Sequence, residues 1–140
     1  MSKITPEEFE QLAYEHVPYV GSLGPKVEEL GNGEVTVRLP FNEHFLRPGG
    51  TVSGPVLMGL ADLAMYALVL SLVGRVELAV TTNLNCNFLR KPKPKAVIAK
   101  GKILKLGKRL AVGEVALYSE SEEEMVAHVT ATYSIPPERE

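Results

Sequence analysis

The longest apolar stretch of the chain runs from residue 54 to residue 73, with the sequence GPVLMGLADLAMYALVLSLV. It contains one charged residue, Asp62, near its middle. A helix of this length can cross a bilayer, but Arg47 and Arg75 flank it and no second span follows. We therefore interpret it as a helix of a soluble protein, buried by the sheet that the rest of the chain forms. No membrane partner is predicted.

A short amphipathic helix is predicted near the N-terminus. Thr5-Pro6-Glu7-Glu8 has the pattern of a capping box with proline at the first helical position. Apolar residues then follow at positions 9, 12 and 13, which is helical spacing. We expect this helix to end near His16, before Pro18.

Six strands are predicted from alternating apolar and polar residues. Two of them, Lys26–Leu30 and Glu34–Pro40, are joined by the turn Gly31-Asn32-Gly33 and precede the long helix. Four further strands, expected to form antiparallel hairpins, follow it at about residues 76–89, 95–106, 109–119 and 125–135. The order of elements predicts an α+β fold in which an antiparallel sheet wraps around one long central helix.

The chain of 140 residues is expected to form a single domain, residues 1–140, because no repeat or linker marks a second one. Its one cysteine, Cys86, cannot form an intramolecular disulfide, which fits a reducing compartment. The N-terminal residues have no apolar signal region. A cytoplasmic location is predicted.

The basic residues are concentrated in one segment. Residues 78–113 contain no acid but hold nine of the fifteen lysines and arginines of the chain. Lysines on strand edges prevent aggregation, and a cationic rim for a phosphorylated small molecule is the alternative interpretation. Nucleic acid is not a predicted partner, because the net charge is −2 and Phe88, the segment's only aromatic residue, belongs to an apolar strand pattern.

A long helix inside an antiparallel sheet is the hotdog arrangement. The segments RPGGTVSGPVLMGLADLAMYA, TTNLNCNFLRKPKP and GKRLAVGEV resemble the PaaI-like acyl-CoA thioesterases of the hotdog fold, over roughly residues 20–135. The resemblance implies hydrolysis of an acyl-CoA thioester by a homodimer or homotetramer whose active sites lie at the subunit interface. It implies neither a cofactor nor a metal.

The family pattern has a loop asparagine, a His-Gly-Gly turn that opens the helix, and an acid eight residues after the first glycine. Gly54 and Asp62 match this spacing. The N–H of Gly54, at the positive end of the helix dipole, would polarise the thioester carbonyl. Asp62 would be the general base or the nucleophile. The alternative is a structural Asp62, paired with Arg47 or with a neighbouring subunit.

Three positions depart from that pattern. Ser53 replaces the histidine, and Pro55 replaces the second glycine, so that one backbone donor is missing. Arg47 replaces the loop asparagine and can either hold a substrate carboxylate or pair with the acid of the helix. Asn42 and His44 are alternative sources of the missing polar group.

The resemblance also assigns a role to Thr81, which would orient the attacking water. Alternation along the strand predicts that Thr81 shares a polar face with Asn83, Asn85 and Asn87. Four basic residues fall at loop positions similar to those that the family uses for CoA, namely Arg90, Lys91, Lys108 and Arg109.

Two other functions stay open from the sequence. A hotdog hydratase or dehydratase is suggested by His44 ahead of a helix that carries an acid, although the spacing to Asp62 is eighteen residues and position 67 is alanine. A non-catalytic acyl-CoA binding protein is permitted by the substitutions at positions 47, 53 and 55. The three histidines have no spacing that predicts a metal site.

Overall fold

A computed structural model of the chain describes residues 2–137. Its main sheet has six antiparallel strands, and the long helix contacts every one of them. This is the α+β arrangement that the sequence predicts, with the long helix at the centre of the core.

Three helices accompany the sheet: α1 (Pro6–His16), α2 (Pro18–Gly21) and α3 (Gly54–Val73). The predicted capping box is present, because Glu8 N donates to Thr5 Oγ1 (3.1 Å) and Thr5 N donates to Glu8 Oε1 (3.0 Å). The short helix α2 was not predicted. Helix α3 ends at Gly74, whose φ of 93° is positive as expected, but whose ψ of −170° is extended rather than left-handed.

The strands of the main sheet agree with the predicted ones to within a few residues. They are β1 (Lys26–Gly31), β2 (Glu34–Leu39), β5 (Val80–Phe88), β6 (Val97–Leu106), β7 (Leu110–Ser119) and β8 (Met125–Ser134). The predicted loop before α3 contains a 3₁₀ turn at Glu43–Phe45 and a small ladder between β3 (Leu46–Arg47) and β4 (Thr51–Val52).

The order of strands in the main sheet is β1-β2-β6-β7-β8-β5. Strand β5 therefore pairs with β8, and the prediction that it forms a hairpin with the next strand is wrong. The connection Lys91-Pro92-Lys93-Pro94 contains two prolines without N–H groups and leads the chain away to the other part of the sheet. Strand β5 is consequently an edge strand, with β8 as its one strand partner in the part of the chain that the structure describes.

A β-bulge changes the face on which Thr81 lies. The register between β5 and β8 shifts after Thr81, so that Thr81 pairs with Tyr133 while Leu84 pairs with Ala131. Tyr133 and Ala131 are both buried. Thr81 is therefore on the inner face of the sheet, and the prediction that it shares the face of Asn83 is wrong.

Helix α3 is the core of the molecule. It is long and apolar enough to cross a membrane, since its most apolar 18-residue stretch has a mean hydropathy of 2.1. However, 72% of that stretch is buried inside the protein. The sheet thus covers most of the helix. Several large apolar side chains stay exposed, including Met58 of α3, and four of them lie in or beside β5: Leu78, Val80, Phe88 and Leu89.

Candidate active site

Asp62 lies in the third turn of α3 and is half-buried. Its Oδ1 accepts hydrogen bonds from Thr81 Oγ1 (2.6 Å) and from the hydroxyl of Tyr133 (2.9 Å). Its Oδ2 accepts none from residues 2–137, and no buried side-chain oxygen there lacks a partner. One carboxylate oxygen is therefore held by two hydroxyls, and the other is open to solvent.

A cavity of about 190 Å³ contains this carboxylate. Its walls are mainly apolar, with Leu63, Ala79 and Val80 among them, and Tyr66 and Glu77 add polar groups. The hydroxyl of Tyr66 donates to the backbone oxygen of Glu77 (2.8 Å) and does not contact the carboxylate. The predicted pair of Asp62 and Thr81 is thus brought together at the edge of an apolar cavity.

Tyr133 is a member of the site that the sequence analysis missed. Only 3% of the residue is exposed, and its ring stacks on that of Tyr66 with 6.0 Å between centroids. Burial raises the pKa of the Tyr133 hydroxyl far above its ordinary value, and the nearby Asp62 carboxylate raises it further. The hydroxyl therefore keeps its proton and acts as a donor.

The first turn of α3 has an open backbone donor. The N-cap is Ser53, whose side chain makes no capping hydrogen bond, and Pro55 has no N–H to offer. Within residues 2–137 the N–H of Gly54 has no acceptor. Because it lies at the positive end of a 20-residue helix, this N–H can bind a carbonyl oxygen or an anion.

A second cavity, of about 500 Å³, lies at this end of the helix. Gly54 lines it together with Phe88 and three cationic residues, Arg47, Arg90 and Lys91. The ring of Phe88 lies so close that a Cβ added to Gly54 would be 3.2 Å from its Cζ atom. The site around the open amide is therefore electropositive and has an aromatic wall.

Arg47 belongs to the cavity at Gly54 and lines no cavity with Asp62. The acid has Thr81 and Tyr133 as partners instead. The alternative in which Asp62 pairs with Arg47 of its own chain is therefore wrong. Asn42 and His44 do not supply the missing group either, because Asn42 Oδ1 caps an exposed 3₁₀ turn by accepting from His44 N (2.9 Å).

The four basic residues that the resemblance assigns to CoA lie in two places. Arg90 and Lys91 follow β5 and line the cavity at Gly54. Lys108 and Arg109 form the turn between β6 and β7, which is at the end of the sheet where Thr81 and Tyr133 pair. Arg90 is neutralised by an ion pair with Glu124, whereas the described acids form no ion pair with the other three.

One chain does not bring the two halves of the predicted site together. Gly54 and Asp62 are eight residues apart on one helix, which separates them by about 12 Å along its axis. They line different cavities. A single carbonyl group cannot reach the Gly54 amide and a water held by Asp62 of the same chain. His44 and Asp62 are not brought together either, as a hydratase would require.

Comparison with known proteins identifies the family. The thioesterase superfamily matches residues 49–126, which is more than half of the chain. A candidate esterase of Thermoplasma acidophilum is 29% identical over 65% of this chain and 68% of its own length. One of Saccharolobus solfataricus is 31% identical over 69% of this chain, and the match spans only 63% of that relative.

Solved structures agree in fold over a longer part of the chain. A candidate thioesterase of Silicibacter sp. TM1040 superposes with a TM-score of 0.87 at 44% identity, covering 98% of this chain and 95% of that one. A mutant of the phenylacetic acid degradation protein PaaI from Thermus thermophilus gives 0.75 at 28% identity, covering 85% and 99%. With a sheet wrapped around α3 and an acid eight residues after its first glycine, this chain belongs to the hotdog-fold thioesterase superfamily, a family of hydrolases of ester and thioester bonds.

Proposed function

We propose that the protein is an acyl-CoA thioesterase, which hydrolyses an acyl-CoA thioester to the free acid and CoA. The observation that carries the proposal is the hydrogen bonding of the Asp62 carboxylate. Its Oδ1 is held by two hydroxyl groups while its Oδ2 has no partner among the described residues. The open N–H of Gly54 on the same helix supports the assignment, because acyl transfer needs a donor for the carbonyl oxygen.

The reaction follows from these two groups. Oδ2 of Asp62 accepts a proton from water, whose oxygen attacks the carbonyl carbon of the thioester. The carbonyl oxygen becomes an anion, which the Gly54 N–H of a second chain stabilises. The C–S bond then breaks, and the sulfur takes the proton from the Asp62 carboxyl. As the alternative, Oδ2 attacks the carbonyl carbon itself, the C–S bond breaks and CoA leaves as the thiolate. Water then hydrolyses the resulting anhydride, which restores the Asp62 carboxylate and releases the acid, and the proton that the water loses goes to the thiolate.

Two chains are needed to complete this site, which supports a homodimer or a larger oligomer built from it. Strand β5 is nine residues long and has an open edge flanked by exposed apolar side chains, an arrangement that favours pairing with another strand. Antiparallel pairing of two copies, centred near Leu84, would bring the Thr81 end of one strand opposite the Phe88 end of the other. Thr81 contacts Asp62 and Phe88 contacts Gly54, so each acid would meet the other chain's amide.

The same pairing would unite the basic residues. Lys108 and Arg109 are at the Thr81 end of the sheet, and Arg90 and Lys91 follow the Phe88 end. In a pair of chains these two groups would approach one another at each site. They would form the cationic surface that binds the phosphates of CoA. Arg47, beside the Gly54 amide, would add a charge close to the carbonyl or hold a carboxylate on the acyl group.

The test is release of free thiol from a panel of acyl-CoA thioesters, with wild type beside Asp62→Asn. Asparagine keeps the volume of the side chain but cannot accept a proton, so we expect kcat to fall roughly 10²- to 10⁴-fold. The melting temperature and the affinity for acyl-CoA should change little. Binding of acyl-CoA without turnover in wild type would show a non-catalytic binding protein. Full turnover in Asp62→Asn would contradict the mechanism.

A further inference from the structure

We propose that Tyr133 is a positioning residue for the Asp62 carboxylate, and that it fixes which carboxylate oxygen reacts. This inference deepens the proposed function and rests on it. The hydroxyl of Tyr133 lies 2.9 Å from Asp62 Oδ1 and belongs to a strand that does not carry any of the predicted site residues. Tyr133 acts through Asp62 and does not itself take part in bond breaking.

The two hydroxyls reach the carboxylate from adjacent strands. Thr81 on β5 and Tyr133 on β8 are paired in the sheet register, and both donate to the same oxygen, Oδ1. An ionised carboxylate with two donors on one oxygen loses the freedom to rotate about its Cβ–Cγ bond. The direction of Oδ2 is then fixed as well, and because Asp62 lines the cavity and Oδ2 is open, this oxygen can meet water or substrate there.

The Tyr133 side chain is itself held in place by its neighbours. Its ring is buried and stacks on Tyr66 at an interplanar angle of 19°. The hydroxyl is also 3.1 Å from the backbone oxygen of Asp62, so the same proton is within reach of two acceptors on one residue. Tyr66 is fixed in turn by its hydrogen bond to the backbone of Glu77.

The other explanation is a tyrosine that only fills the core. Both roles predict that loss of the hydroxyl lowers stability, because it breaks a buried hydrogen bond. Only the positioning role predicts that kcat falls while KM stays near its wild-type value, because the carboxylate is misplaced while the substrate still binds.

The experiment compares Tyr133→Phe with Tyr66→Phe. Each variant keeps its ring and loses one hydroxyl, but only the first hydroxyl contacts the carboxylate. For Tyr133→Phe we expect kcat to fall roughly tenfold, the loss expected for one hydrogen bond to a charged group, with KM within about twofold of wild type. Tyr66→Phe should lose much less of its kcat, because its hydroxyl does not contact the carboxylate.

An unchanged kcat in Tyr133→Phe, with only a lower melting temperature, would overturn the proposal, and so would an equal loss of kcat in Tyr66→Phe. The test also works if wild type hydrolyses no acyl-CoA and the proposed function itself fails. In that case the carbon-13 chemical shift of the Asp62 carboxyl is compared at one pH in wild type, Tyr133→Phe and Tyr66→Phe. A chemical shift that changes in Tyr133→Phe alone supports the positioning role, and equal changes in both variants, or none, overturn it.

Discussion

The first and third turns of helix α3 carry opposite chemistry. At the first turn the functional group is a backbone N–H, which is open because the Ser53 side chain does not cap it and Pro55 has no N–H. At the third turn the functional group is the Asp62 carboxylate, which two hydroxyls hold in place. Three cationic residues line the cavity at the first turn, whereas no cation lines the cavity at the third turn among the described residues.

In the proposed mechanism, one helix therefore provides two halves of a reaction centre that it cannot itself combine. The helix geometry places the backbone positions of Gly54 and Asp62 about 12 Å apart along the axis, which is too far for one carbonyl group to contact both the N–H and a water on the carboxylate. The Gly54 N–H is available because no side chain caps the first turn. The Asp62 carboxylate is instead held by the hydroxyls of Thr81 on β5 and Tyr133 on β8. Substitutions at the two turns should therefore lower the activity for different reasons.

The largest expected effect at the first turn comes from Gly54→Pro, with Gly54→Ala as its matched control. Both substitutions add a Cβ near Phe88, and the φ of Gly54 is not in the positive region that would strain either. Only proline removes the N–H, at a helix position where it is well tolerated. We expect kcat to fall roughly 10²- to 10³-fold in Gly54→Pro, the loss measured for one oxyanion donor. Steady-state kinetics and thermal melting of both variants test this expectation.

The contrast between the two Gly54 variants decides the role of the amide. Gly54→Ala should lose far less activity, because it only displaces the ring of Phe88. Equal losses in both variants would mean that crowding of Phe88, rather than loss of the donor, explains the effect.

The smallest expected effect concerns the cations beside the first turn. Lys91 has no ion-pair partner among residues 2–137, whereas Arg90 is already paired with Glu124. We expect Lys91→Ala to raise KM for acyl-CoA roughly two- to fivefold, the size of one exposed ionic contact, and Arg90→Ala to raise it less. The Lys91 effect should shrink as salt is added, because salt screens exposed charges. If KM does not respond to either substitution or to salt, these cations do not bind CoA phosphates.

Local sequence patterns predicted most of the fold. The capping box at Thr5, the length of α3 and the approximate positions of six strands were all correct, because each depends on neighbouring residues. The pairing of β5 was predicted wrongly, since it depends on where the chain goes after two prolines. The bulge after Thr81 was also missed, because an extra residue in a strand changes no local pattern.

The site residues that could be predicted from spacing alone are the two on helix α3. Gly54 and Asp62 were found from their spacing, and Thr81 from the family resemblance. Tyr133 was missed because its strand is 71 residues away from Asp62 and joins it only through the sheet register. A signal was present in the sequence, since Tyr133 is on the same face of its strand as Val129 and Ala131, which are both buried. A buried tyrosine needs a hydrogen-bond partner, and Asp62 is the one acid of the core helix.

The central claim is that each active site combines Asp62 of one chain with Gly54 of another. Complementation tests it most directly: Asp62→Asn and Gly54→Pro chains, carrying different tags, are co-expressed, and the mixed oligomer is isolated by both tags. Each variant alone should be nearly inactive. A mixed dimer should regain roughly half of the wild-type activity, because one of its two symmetric sites contains both intact groups. Activity no higher than that of the separate variants, or full wild-type activity in a monomer of 15.3 kDa, would contradict the account.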